Sequence, residues 1–203
     1  TVFAWGMGEK LVKKNPFAEV RISVPRKNVE RETKAFTPDE AKIILRAALL
    51  CNDTKSWHEK ACRWVPWICA YTGARAGEIT QLRASDVYQR GDTHFARLTP
   101  SAGKIKTRKA RTVPLHEDLI EQGFLGFVER ANGGPLFYGH ERRQVRKPGG
   151  APARQSPAEQ ARSRLGEWVR SLGVTDPEIS PNHAWRHTFK AIALRAGIDE
   201  RYS

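Results

Sequence analysis

The sequence predicts a mainly helical α+β domain carrying a small antiparallel sheet. Three observations point there. Two segments open with a capping residue followed by proline, Thr37-Pro38-Asp39-Glu40 and Ser180-Pro181, which is how helices begin. Apolar residues recur at helical spacing through several stretches. Alternation of period two is confined to residues 93–99 and its character returns in Arg111-Thr112-Val113-Pro114-Leu115, so the sheet is small.

Taken in order, residues 1–14 place Val2, Phe3, Trp5, Met7, Leu11 and Val12 at helical spacing, and Asn15-Pro16 stops them. Residues 17–35 read as an extended basic connector. The front piece, 1–35, is the last helix of a preceding domain plus a linker, or else an N-terminal arm of the main domain, which runs over 36–203. From Pro38 a helix puts Ala41, Ile44, Leu45 and Ala48 on one face. A second places Trp57, Ala61, Trp64 and Ile68 on one stripe, with Pro66 kinking or restarting it. A third follows Gly73 through Glu78, Ile79 and Leu82. The strands over 93–99 and 111–115 enclose a basic hairpin or sheet loop. Residues 117–130 read as one helix, 139–156 as a mobile loop rich in Gly, Pro, Arg and Gln, 157–172 as a helix, and Ser180-Pro181 opens the last helix through about Arg195. There is no internal repeat.

The chain has 203 residues, room for one substantial domain plus a fragment. Hydrophobic residues make up 39% and charged residues 28%, enough apolar matter for a core and too much for a disordered chain. No apolar run reaches a membrane span and Thr1-Val2-Phe3-Ala4-Trp5 is not a signal peptide, so a soluble, intracellular protein is expected. Cys51, Cys62 and Cys69 are odd in number and lack a CxxC spacing. They read as buried or partly buried free thiols rather than a disulfide framework or zinc site.

Lys and Arg total 35 against 22 Asp and Glu, a net charge of +13 that asks for an acidic partner. Lys104, Lys106, Arg108, Lys109 and Arg111 fall in eight residues without an acid, and Arg142, Arg143, Arg146 and Lys147 form a second cluster. Neither lies in a helix with a bulky apolar face, so nucleic acid is favoured over a membrane surface.

Three segments carry candidate chemistry. In Tyr71-Thr72-Gly73-Ala74-Arg75-Ala76-Gly77-Glu78, Arg75 and Glu78 are three apart at the start of a helix. Either the carboxylate is buried and holds the guanidinium rigid toward an anion, or the two form an ordinary surface ion pair. Lys106 sits at the tip of the basic hairpin, where it reaches into a neighbouring groove or is simply solvated. In His183-Ala184-Trp185-Arg186-His187, His183 and Arg186 share a helical face, one group suited to moving a proton and the other to holding charge. His187 reads as a capping or packing residue.

The order Thr-Gly-x-Arg-x-x-Glu, basic hairpin ending in Val-Pro-Leu, then His-x-x-Arg-His-Thr-Phe resembles the tyrosine recombinases of the phage-integrase family over residues 37–203. The resemblance implies a helical catalytic domain preceded by a core-binding domain whose last helix ends near an Asn-Pro such as Asn15-Pro16. It implies that Arg75 and Arg186 clamp the non-bridging oxygens of a scissile phosphate. Lys106, or Lys104 in its place, would protonate the leaving 5′ oxygen, His183 would serve as acid/base and Glu78 would brace Arg75. Lys104, Arg108 and Lys109 would bind DNA. It further implies cutting and rejoining of DNA through a 3′-phosphotyrosine with no metal or other cofactor, on a double-stranded recombination site, in a tetramer, in the bacterial cytoplasm with the nucleoid.

One departure matters. The family's tyrosine lies well downstream of the His-x-x-Arg helix after another His or Trp. Tyr202 is too close to Arg186 and nothing of that kind precedes it, while Tyr71, Tyr88 and Tyr138 fall at the wrong places. The chain therefore reads as C-terminally truncated, able to bind DNA but not to cleave it, and monomeric alone. The alternative of another class is a DNA-binding module or regulator of this fold without catalysis.

Overall fold

The computed structural model describes Glu9 and residues 33–99, 110–139 and 155–198. The chain divides into two compact units, Thr1–Glu30 and Arg31–Ser203, and the described helices and strands all belong to the second. The expected helix over 1–14, the hairpin tip with Lys104, Lys106, Arg108 and Lys109, most of the 139–156 loop, and Tyr202 lie outside the described residues.

Seven α-helices and one three-stranded antiparallel sheet occur among the described residues, the mainly helical α+β architecture that the sequence predicts. Helix α1, Pro38–Leu50, opens with a complete capping box: Thr37 Oγ1 accepts from the Glu40 N–H and the Glu40 carboxylate accepts from the Thr37 N–H. Thr37→Ala should cost about 1 kcal/mol, read as a lowered urea midpoint at unchanged slope.

Helix α2, Trp57–Thr72, is the central element and packs against α1 and most of the later helices. It runs unbroken through the buried Pro66, so packing on its neighbours overrides the missing backbone bond. Ala61, Trp64 and Ile68 face the core as their spacing predicts, whereas Trp57 is partly exposed at the open end of the stripe. Trp64 meets Phe124 edge-on at 5.1 Å and stacks on Phe127 at 5.7 Å.

Helix α3, Ala76–Ile79, is a single turn. It stops short of Leu82 because the backbone there turns to another partner: Leu82 O accepts from the Leu136 N–H at 3.0 Å and Ala84 N–H donates to Gly134 O at 2.8 Å. Strand β1, Val87–Arg90, was not anticipated. It pairs with β2, Thr93–Leu98, which pairs in turn with β3, Arg111–Pro114, Leu98 opposite Arg111.

The single helix expected over 117–130 is two, α4 Glu117–Glu121 and α5 Phe124–Arg130. Gly123 separates them at φ +88°, a left-handed conformation that a helix interior does not hold. Helix α6, Pro157–Ser171, carries a second complete capping box from Ser156 and Glu159. Helix α7, Pro181–Arg195, starts where Ser180-Pro181 predicts, although the Ser180 side chain makes no capping bond.

Two groups of contacts position α7, one on the loop before it and one on the helix itself. Arg170 Nη1 donates to Val174 O at 2.8 Å and Asp176 O at 2.6 Å, and its Nη2 to Ile179 O, which orders the loop leading into the helix. Ahead of α1, the Phe36 N–H donates to Thr188 Oγ1 at 2.9 Å, and the Phe36 ring lies 4.9 Å from Trp185, edge-on. All three cysteines are free, Cys62 and Cys69 buried and Cys51 half-buried, as expected. Burial pushes the Cys69 thiol far up from its ordinary value, which makes it an inert packing group. No helix among the described residues is long and apolar enough to cross a membrane.

Candidate active site

Helix α2 ends at Gly73, which takes a left-handed conformation at φ +61°. A side chain there would meet Phe189 of α7, whose Cδ1 lies 2.6 Å from where a Cβ would stand. Glycine thus serves two needs, the backbone turn and the close approach of α7. The turn leaves the Gly73 carbonyl facing α7, and Arg186 Nη1 donates to it at 3.1 Å. One of the carbonyls stranded at a helix end is satisfied this way.

Two residues on, Arg75 is the N-cap of α3 and Glu78 its third residue. The Arg75 N–H donates to Glu78 Oε2 and Arg75 Nη1 to Oε1, both at 3.1 Å. The first of these is the returning half of a capping box, and it explains why the acid follows the arginine by three. Of the two readings open from sequence, the buried carboxylate holds: the Glu78 side chain is 3% exposed.

A third arginine joins them, one that sequence reasoning placed only within the basic cluster. Arg111, first residue of β3, donates from Nη1 to Glu78 Oε1 at 3.1 Å and from Nη2 to Oε2 at 2.7 Å. Nothing local signals this pairing, because it joins strand to helix across 33 residues of sequence.

The electrostatics follow from the count: two guanidiniums pair with one carboxylate, and a third, Arg186, lies close enough to feel all three charges. Burial alone would push the Glu78 carboxyl up. The hydrogen bonds from Arg111 and from the Arg75 backbone, with the two positive charges, more than offset it and hold Glu78 below the usual carboxylate range. Arg186 also lies below its ordinary value, which for a cation disfavours the charged form. Burial lowers it first, the like charges of Arg75 and Arg111 lower it further, and Glu78 opposes them. Even lowered it stays protonated at neutral pH, since guanidinium starts so high. The cluster therefore carries a surplus of fixed positive charge on partly buried side chains, which is what an oxyanion needs.

The structure thus brings together Arg75, Glu78 and Arg186. His183 stands one turn before Arg186 on α7, exposed, and lines a cavity of about 300 Å3 with Lys34, Glu178, Ser180 and His187. His187 is therefore open to this cavity rather than packed away. Tyr71 is engaged elsewhere. Its hydroxyl donates to Asp118, its ring stacks on His116 at 4.2 Å, and burial with the Asp118 carboxylate pushes its pKa up to about 12. Tyr88 stacks on Phe95 and meets Thr112 Oγ1 at 3.3 Å. No cluster of three or more His, Cys, Asp or Glu side chains suited to a metal ion occurs among the described residues.

Comparison with known proteins gives the fold and the family. No curated protein matches the chain. Among solved structures, the XerH site-specific recombinase, captured with its difH substrate in a pre-cleavage complex, superposes with a TM-score of 0.57 at 16% identity. The match covers 96% of this chain and 53% of that one, so the chain spans about half the length of the recombinase it resembles. That likeness shows the fold. The profile of the phage integrase family matches residues 34–202, which takes in Arg75, Glu78, Arg111, His183 and Arg186. The chain belongs to the phage integrase family, the tyrosine recombinases.

Proposed function

We propose that residues 36–203 are the catalytic domain of a site-specific DNA recombinase, and that residues 1–35 are the end of a core-binding domain with its linker. The observation that carries this is the convergence of Arg75 and Arg186, from opposite ends of the domain, on the turn braced by Glu78. In strand exchange a tyrosine oxygen attacks a backbone phosphorus, a 3′-phosphotyrosine forms and the 5′ oxygen departs with a proton. Negative charge spreads over the non-bridging oxygens in the transition state. Arg75 and Arg186 meet those oxygens, so fixed cations supply the stabilisation that a metal supplies in other phosphoryl-transfer enzymes.

In this reading Lys106 protonates the leaving oxygen and His183 acts as acid/base from the cavity rim. Lys104, Arg108 and Lys109 bind the DNA backbone, and the net charge of +13 supports a polyanionic partner. None of Tyr71, Tyr88, Tyr138 and Tyr202 is the nucleophile, a reading supported for Tyr71 and Tyr88 by the contacts that hold them. Recombination itself takes place in a tetramer on DNA, in the bacterial cytoplasm.

Duplex binding by this chain tests the reading. The logarithm of the association constant should fall linearly with the logarithm of salt, at about 0.9 per phosphate neutralised. Arg75→Ala and Arg186→Ala should each lower affinity by less than about tenfold, because many phosphate contacts share it. On a nicked suicide duplex the chain should form no covalent adduct. Absence of salt-sensitive duplex binding would overturn the DNA reading, and an adduct would overturn the exclusion of its four tyrosines.

A further inference from the structure

Glu78 is one carboxylate shared by two arginines, and they share it unequally. Arg111 presents both Nη atoms to both oxygens, the parallel fork that makes the strongest guanidinium–carboxylate pair. Arg75 gives the carboxylate one guanidinium nitrogen and its backbone N–H, while its Nε and Nη2 bond nothing among the described residues. The Arg75 side chain is 24% exposed, so part of it stays open to solvent. One carboxylate cancels one cation. If Arg75 were its only partner, Arg75 would be the cation cancelled.

We propose that Arg111 is a positioning residue: its forked pairing takes up the charge of Glu78 and leaves the cation and outer donors of Arg75 free for a phosphate oxygen. This rests on the phosphate-binding role proposed above for Arg75 and Arg186. Glu78 then orients Arg75 without neutralising it, and the cluster keeps a surplus of two positive charges. Without Arg111 the carboxylate turns wholly to Arg75 and the surplus falls to one.

Inorganic phosphate is the probe, titrated into the 15N-labelled chain and followed on the Nε–H resonances of Arg75 and Arg186. The wild-type chain should show saturable shifts at both. Arg111→Met should weaken phosphate about fivefold, the effect of one charge near a half-exposed site. The double variant Arg111→Met with Glu78→Gln should bind phosphate more tightly than Arg111→Met alone, because an amide at position 78 cancels no cation while its oxygen still accepts from the Arg75 N–H. Arg111→Lys, which keeps the cation, should stay within about twofold of wild type.

A double variant as weak as Arg111→Met would mean that Arg111 holds phosphate itself, and the proposal would be wrong. Full affinity in Arg111→Met would overturn it equally. Should Arg111→Met fail to fold, the double variant and Arg111→Lys decide: phosphate lost in the double variant sinks the proposal, phosphate retained supports it. A wild-type chain that shows no shift at either arginine would instead remove the phosphate site on which the proposed function stands.

Discussion

Gly73→Ala should destabilise the domain by about 2–4 kcal/mol, combining a non-glycine residue in the left-handed region with a side chain forced into a filled space. Both terms are visible in the geometry, φ +61° and a Cβ position 2.6 Å from Phe189 Cδ1. The measurement is urea denaturation by circular dichroism. The two terms separate in the variant that adds Phe189→Ala. That change removes the clash and leaves the backbone term, so the cost of the Gly73 substitution should fall by about half in its presence. Full additivity of the two changes would show that the close approach of α7 plays no part. Because Gly73 also offers its carbonyl to Arg186, the Arg186 Nε–H resonance should move in Gly73→Ala even below the unfolding transition.

Glu78→Ala should cost about 2–4 kcal/mol. Loss of one partner from a fully buried pair costs about 3–5, and here Arg75 and Arg111 each keep an outer edge in water. The pH dependence identifies the source. Glu78 titrates below its ordinary value in the folded state, so its pairing stabilises the fold above the unfolded carboxyl pKa, about 4.3. That contribution is lost as pH falls through the lower, folded value. Wild-type stability should therefore show an acid limb below about pH 4.3 that Glu78→Gln lacks. An unchanged limb in Glu78→Gln would assign the acid sensitivity to other carboxylates.

Much of the architecture was legible because local chemistry enforced it. Thr37-Pro38-Asp39-Glu40 wrote its helix start into four residues, and Ser180-Pro181 located another. Where the reading failed, the cause was tertiary. Nothing in Leu82 itself reveals that its carbonyl answers Leu136, so α3 was read too long. The stretch 117–130 kept helical spacing across Gly123, whose left-handed backbone divides it. Trp57 lies on the right stripe of α2 but beyond the edge of the core.

The site divides in the same manner. Arg75 and Glu78 were joined by their spacing of three at a helix start, and Arg186 was joined to Arg75 only through the family resemblance. Arg111 was joined to none of them, because its meaning lies in Glu78, which reaches it only once β3 is laid beside α3.

The contact between Phe36 and α7 has a consequence for synthesis. Thr188, to which the Phe36 N–H is bonded, leaves the ribosome 152 residues after Phe36. At 5–20 residues per second that interval is about 8–30 s, during which the Phe36 ring has no Trp185 to lie against. Arg186 is made just before Thr188, long after Gly73 and Arg75. A nascent chain thus completes most of the described helices while holding only half of its arginine pair, and Arg186 reaches Gly73 in the same late step that lays Trp185 against Phe36.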